Sequence, residues 1–329
     1  MFDMAKVAAV KLRQKLEPID PTEPIKPPTF AGENKGESQY IIYEVKEGRR
    51  DAVLDTVPSQ ANRIEPLFTG SGLIPEVTVE VDSKTVSIAD LGHRSCDAAI
   101  RYSTGAAEVA VALQLYQSGD ATPLAKLAPL DLLFGSWDSR ESRTKITRLI
   151  RSVIRATDIS HPIEKRGQYR TSVSKEPFST SFDDKQLSAI GVLDCPVSGV
   201  LDGVLVGGEI YRSAELNVRG IRRLGDQLLQ NYILGLGLFA LTAPIALDLR
   251  EGCNLVVVES RAELVNEDGT RTEFPLTHDQ ALAFAANAAE KFGVGERKHF
   301  VYDPKFAIEV LKGKAENGKG KRAKAAMAQ

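Results

Sequence analysis

The chain has 329 residues, 43% of them hydrophobic and 26% charged, with a formal net charge of −2. That is enough for one large domain or two ordinary ones with a sizeable core. The near-neutral balance excludes a polybasic molecule, so any nucleic-acid footprint must come from local sorting of charge.

Taken in chain order, residues 1–16 are read as a short helix. Its charge comes too early for a secretory signal. Residues 17–38 hold five prolines and two glycines and are read as an extended arm. A strand is expected at 39–45, and 51–54 is a second strand or a lead-in. Residues 56–67 read as a helix opening at Pro58, because proline's missing N–H is not needed in a first turn. The segments VTVEVD and KTVSIAD alternate with period two and predict a hairpin. Residues 93–102 and 106–117 read as helices, and 130–134 as a buried strand ending at Gly135.

The segment FGSWDSRESRTKITRLIRSVIR, residues 134–155, carries six cations against two acids. As a helix it would place Ile146, Leu149, Ile150, Val153 and Ile154 on one face and Lys145, Arg148, Arg151 and Arg155 on the other. Residues 148–158 also read as a strand, rich in β-branched residues but alternating imperfectly. Periodicity favours the helix.

Short strands and glycine turns are expected over 168–218, and an apolar helix over 224–241. The uncharged run 227–247 is long enough to span a bilayer, but its Gln, Asn, Gly and Pro content predicts a helix buried in protein. Residues 255–265 and 270–274 form a hairpin across NEDG, and 279–292 an alanine-rich helix. The tail lacks the apolar residues that would offset ordering. The mixture, without regular βα alternation, predicts an α+β fold. The expected organisation is an arm at 1–38, a folded core at 39–311 and a disordered basic tail at 312–329.

Signatures of catalysis are sparse. GVLVGG lacks the Lys-Ser/Thr of a phosphate-binding loop, and neither GxSxG nor HExxH occurs. Cys96, Cys195 and Cys253 are widely spaced and show no CxxC pair, which argues against a zinc knuckle and fits a reduced, cytoplasmic setting. His93 and Cys96 could share a helical face as a dyad, with Asp90 and Asp97 nearby. Packing and capping are the simpler roles for all four. No catalytic residue, metal or cofactor is expected.

Charge is more informative. Residues 140–175 contain ten Lys/Arg and three acids, and seven of the ten are arginine. Arginine's fork matches phosphate and stays charged. A solvated face with acidic partners elsewhere would give the same count. A second candidate is VPSQANRIEP, residues 57–66. There Ser59, Gln60, Asn62 and Arg63 offer donors at a helix start, where unpaired N–H groups favour anions. An ordinary capped surface helix is the alternative.

In order and spacing, DTVPSQANRIEP, DLGHRSCDAAIRYS, LAPLDLLFGSWDSR and RLIRSVIRATD resemble the Csb-type backbone subunit of type I-G/I-U CRISPR effector complexes. That family is the seventh CRISPR-associated family, in the RAMP superfamily. The resemblance spans about residues 27–300. It implies a modified RRM or ferredoxin-like palm with inserted finger and thumb elements, the thumb falling at 168–182 or 197–212. It also favours a strand near 151–158, and a helix at 143–149 followed by that strand would reconcile this with the periodicity. Copies of such a subunit stack head-to-tail along one CRISPR RNA, meet target DNA through the guide, and contact other effector subunits. No membrane partner is implied. The RNA contacts it suggests are Ser59, Gln60, Asn62, Arg63, His93, Arg94, Gly135, Arg140, Arg143, Lys145, Arg148, Arg151, Arg155, Lys165, Arg166 and Arg170. Two other readings compete. One is a RAMP-type endoribonuclease processing precursor CRISPR RNA, with His93 or His161 as general acid–base. The other is a cytoplasmic enzyme holding a phosphorylated metabolite in the 140–175 patch.

Overall fold

The computed structural model describes residues 2–32, 38–46, 48–178, 181–193 and 195–312. The tail expected to be disordered lies outside the described residues, apart from residue 312. The centre of the fold is an antiparallel sheet. In chain order its strands are β1 (Val7–Pro18), β2 (Ile42–Lys46), β3 (Arg49–Asp55), β4 (Ile150–Ala156), β5 (Ile210–Asn217), β6 (Asp248–Arg250), β7 (Cys253–Asn266) and β8 (Arg271–Glu273). Across the sheet they run β6-β7-β1-β5-β4-β3-β2, with β8 beside β7. The chain is therefore mixed α and β, as expected.

The first correction concerns β1. The segment VAAVKLRQKLEP is rich in good helix formers, yet it is a strand between β5 and β7. Val10, Leu12 and Leu16 are buried on one face, while Lys11, Arg13 and Lys15 point to the other. Pairing with two long neighbours overrides the local preference, and residues 7–18 belong to the sheet and not to an arm.

Two further expectations change. Residues 130–134 are helical: α3 spans Pro129–Phe134, opens on proline and is buried throughout. An all-apolar run cannot be assigned by periodicity, and only its surroundings decide. The helix expected at 143–149 does not form. Arg143 has φ +56, in the left-handed region, and the chain there is a loop leading into β4. The strand alternative for 148–158 is the correct one. On β4, Ile150, Ser152, Ile154 and Ala156 face inward, and Arg151, Val153 and Arg155 face the other way.

On the inward face of the sheet pack α1 (Val57–Ile64), α3 and α4 (Gln227–Thr242); α5 (His278–Phe292) packs against α4, and α2 (Ala106–Gln117) against the short helix Thr122–Leu127. The expected 93–102 helix is a short 3-10 turn, Arg94–Cys96, followed by Ala98–Arg101, whose start is capped by Asp97. Asp226 caps α4, where Tyr232 to Leu241 is continuously buried. Gly235 lets α5 approach, since a Cβ there would sit 2.9 Å from the Ala285 Cα. Phe68 packs edge-on against Phe134 and Phe239, with centroids 6.4 and 4.9 Å away. Each such side chain contributes roughly 1.5–3 kcal/mol by leaving water. Among the described residues, no helix is long and apolar enough to cross a membrane. The predicted hairpins at Val77–Val81 with Lys84–Ser87, and at β7 with β8, both form.

Candidate nucleic-acid interface

Three sequence motifs meet under one loop, joined by buried hydrogen bonds. Glu65, just beyond α1, accepts from Arg94 Nε at 2.7 Å and Nη2 at 2.5 Å. Arg94 Nη1 donates to the carbonyl of Gly135 at 2.7 Å. The same guanidinium lies 5.5 Å from the centre of the Phe134 ring. The Ser95 hydroxyl donates to the carboxylate of Asp131 in α3. Arg101 Nη2 donates to Asp138 Oδ1 at 3.0 Å. The SQANRIE segment is thus tied to GHRSCDAAIR, and that segment to LDLLFGSWD at three points.

Burial sets the electrostatics of this frame. It pushes the Glu65 carboxyl above the usual range, against the pull of Arg94. It pushes Asp131 up to about 7, outweighing the Ser95 hydrogen bond and the Arg94 charge. For Asp138 burial also acts upward, but hydrogen bonds from Ser142, Arg140 and Glu141 prevail and hold its carboxyl below the usual range.

Above the frame, the loop from Gly135 to Arg148 is held in one shape. Gly135 has φ +78, and a Cβ there would lie 3.0 Å from both Arg148 N and Ile146 O. Only glycine lets the two stems approach this closely. Arg148 Nε donates to the Phe134 carbonyl at 2.9 Å, and Leu149 N to the Leu133 carbonyl at 2.9 Å. Trp137 pairs in register with Lys145 on a short ladder. Asp138 closes the tip by accepting from the N–H groups of Arg140, Glu141 and Ser142 and from the Ser142 hydroxyl, at 2.7–3.3 Å.

The rim of this loop is cationic. Arg140, Arg143 and Lys145 are exposed, and so is Arg151 on the neighbouring strand. Among the described residues, no carboxylate lies in ion-pair range of these four. Arg151 stands in register with Glu215, without an ion pair. Arg155 is half-buried beside Tyr43 and hydrogen-bonds it, with its Nε left unpartnered. Arg170 is exposed; Lys165 and Arg166 lie on the strand Ile163–Tyr169.

The helix start at α1 does not have the form expected from the sequence. Thr56 caps it, accepting from Ser59 N at 3.3 Å, and its carbonyl takes Gln60 N at 2.9 Å. Pro58 has no N–H, so the donors meant for an anion are largely spent. Gln60 is fully buried. It donates to Asp55 at 2.6 Å and accepts from Ser152 at 2.8 Å. Ser152 in turn accepts from the buried Arg212 at 2.9 Å. Arg63 is also committed, to Asp55 at 3.2 Å and to the Leu249 carbonyl at 3.1 Å. Asn62 is exposed, Ser59 half-buried.

Most of the sequence-derived contacts fall into two groups. Gln60, Arg63, Arg94, Gly135 and Arg148 hold the frame together. Arg94 is buried in a carboxylate pair because a charge there must be matched, so its side chain is not a surface contact; neither is that of Gln60. Asn62, His93, Arg140, Arg143, Lys145, Arg151 and Arg170 reach the surface. Counting charge overlooked Trp137. It is the chain's one tryptophan and is 64% exposed. Its signal was available: a large aromatic set in the polar run GSWDSR.

The geometry does not activate the Cys–His pair considered from the sequence. His93 is exposed, whereas Cys96 is buried and its thiol is pushed up by that burial. Nδ1 of the exposed His161 lies 2.8 Å from Nη1 of Arg50. Among the described residues, no three His, Cys, Asp or Glu side chains come together as a metal site. The loop offers fixed positive charge and an aromatic face, a combination suited to a polyanion held without base readout.

The family model described as CRISPR-associated protein GSU0053 matches residues 10–161, which include all three motifs. No curated protein matches the sequence. Among solved structures, a chain described as "CRISPR RNA-guided surveillance complex, pre-nicking" is 14% identical. The match covers 78% of this chain and 75% of that one, with a TM-score of 0.35. A second, described as "CRISPR RNA-guided surveillance complex", is 12% identical over 86% and 85%, with a TM-score of 0.25. Both likenesses are too low to carry weight.

Proposed function

We propose that the chain, whose residues 10–161 match the family model of CRISPR-associated protein GSU0053, is a non-catalytic subunit coating the guide RNA of an effector complex. The carrying observation is the Gly135–Arg148 loop. Its base is clamped by part-buried hydrogen bonds from Arg94 and Arg101, and its rim presents Arg140, Arg143 and Lys145 without carboxylate partners among the described residues. A guide differs from spacer to spacer, so its carrier must grip phosphate and sugar, which carry no sequence information. Unpaired guanidinium groups on a rigid loop meet that need.

In this reading the antiparallel sheet with its helices is a modified RRM-like palm, whose core takes in β1 as well as residues 39–311, and the 168–182 or 197–212 segment is the thumb. Target DNA is met through the guide, and other effector subunits bind at the ends of the assembly. Copies associate head-to-tail, a heterologous contact that builds an open helix when its rotation does not close.

The test is purification without a salt wash. The protein should carry RNA, seen as an absorbance maximum shifted towards that of nucleic acid, and should form filaments on added guide RNA by electron microscopy. Protein free of nucleic acid that binds neither guide RNA nor itself would refute the proposal. RNA cleavage lost on changing one specific residue would refute its non-catalytic part.

A further inference from the structure

We propose that Trp137 is a stacking platform for one unpaired base of the bound strand, with Arg140, Arg143 and Lys145 holding the adjoining phosphates. This rests on the RNA-coating reading and adds to it a contact with the base face.

An indole that is 64% exposed leaves a large aromatic face in water, open to a ligand. The ring is not on a loose loop. Its own strand pairs Ser136 with Ile146 and Trp137 with Lys145. The next residue, Asp138, is buried and takes hydrogen bonds from three backbone N–H groups, a hydroxyl and Arg101. On the other side, Gly135 is fixed by Arg94. A side chain so placed loses little further freedom on binding, which favours affinity.

The surroundings select the ligand. The other exposed residues of the loop are Ser139, Arg140, Glu141, Arg143, Lys145 and Thr147, none of them apolar. A protein partner would be expected to ring the tryptophan with apolar contacts that exclude water. An aromatic face among unpaired cations is instead the arrangement used on single strands, where every base has a π-face and stacking is tolerant of sequence. It also fits a carrier that must accept any guide.

Trp137 is the chain's one tryptophan, so its emission reports this site alone. A labelled, mixed-sequence single-stranded RNA should quench it, while an abasic ribose-phosphate strand of equal length binds without comparable quenching. Trp137→Ala should weaken RNA binding by about tenfold, and Trp137→Phe should retain most of the affinity. Neither variant should alter binding of the abasic strand. Equal quenching by both strands, or unchanged RNA affinity in Trp137→Ala, would overturn the inference while leaving the RNA-coating function in place. Emission that changes with protein concentration alone, with RNA affinity unaffected by the substitution, would assign the ring to contact between copies and likewise overturn it. Absence of any RNA binding would refute the underlying function itself.

Discussion

Arg94 holds Glu65 through two hydrogen bonds and, with its remaining nitrogen, the carbonyl of Gly135. One guanidinium therefore fixes the end of α1 to the start of the cationic loop. Arg94→Ala should cost about 3–5 kcal/mol, because it strands a buried carboxylate. The double change Arg94→Met with Glu65→Leu should cost less than either single change. A denaturant series in which the double change is the worst of the three would contradict this account of the pair.

Gly135 is the point where the loop stems touch. Gly135→Ala adds a Cβ at 3.0 Å from two backbone atoms, at φ +78. The strain should be on the order of 1–3 kcal/mol. RNA binding should weaken further than Tm alone accounts for, since the loop must shift. Unchanged thermal unfolding and unchanged RNA affinity together would show that the approach is not tight.

Reversing the rim charge should separate binding from folding. Arg140→Glu, Arg143→Glu and Lys145→Glu combined should leave Tm within a degree or two of the parent. If the parent neutralises about four phosphates per copy, its log–log salt slope is roughly −3, and losing three cations should flatten it by about 2. The loss should be the same for guides of different sequence. A loss confined to one guide would mean that bases are being read. Arg148→Glu, by contrast, should lower stability as well, because its side chain ties the loop to the Phe134 carbonyl.

Asp131 gives a pH dependence of definite sign. Its carboxyl is raised by burial from the ordinary value of 3.8 to about 7. The folded chain therefore binds a proton that the unfolded chain releases, and Asp131 weakens the fold as pH rises from about 4 to 7. The full penalty is at most on the order of 4 kcal/mol. Asp131→Asn removes it, so the variant should gain on the parent steadily across that range. A stability difference independent of pH would rule out the raised carboxyl.

Gln60 should matter to the fold and little to RNA. Gln60→Ala leaves Asp55 and Ser152 short of a buried partner, which should cost about 1–3 kcal/mol. A variant as stable as the parent but defective in RNA binding would return Gln60 to the surface role read from the sequence.

The motifs were legible in the sequence, but not the work each residue does. Alternation in VTVEVD, the NEDG turn and the alanine-rich run at 279–292 identified their elements, because each signal is local. β1 was misread because lysine, leucine and alanine suit a helix, and only strands far along the chain make it a strand. The Leu130–Leu133 run gave no period to read. The arginines were found by counting. Counting could not show that Arg94 and Arg63 are consumed by Glu65 and Asp55, since those pairings exist only once the chain has folded. The same limit placed Gln60 outside the core and passed over Trp137.

β1 lies between β5 and β7, its register partners running from Ile210 to Asn217 and from Leu255 to Asn266. On the ribosome, this strand is made long before either neighbour exists. Its apolar side, with Val10, Leu12 and Leu16, has no strand partner until the segment from Ile210 onward has been made. Closing so distant a pairing is slow. A tag fused just ahead of Val7 therefore sits beside the middle of the sheet and not beside an edge strand.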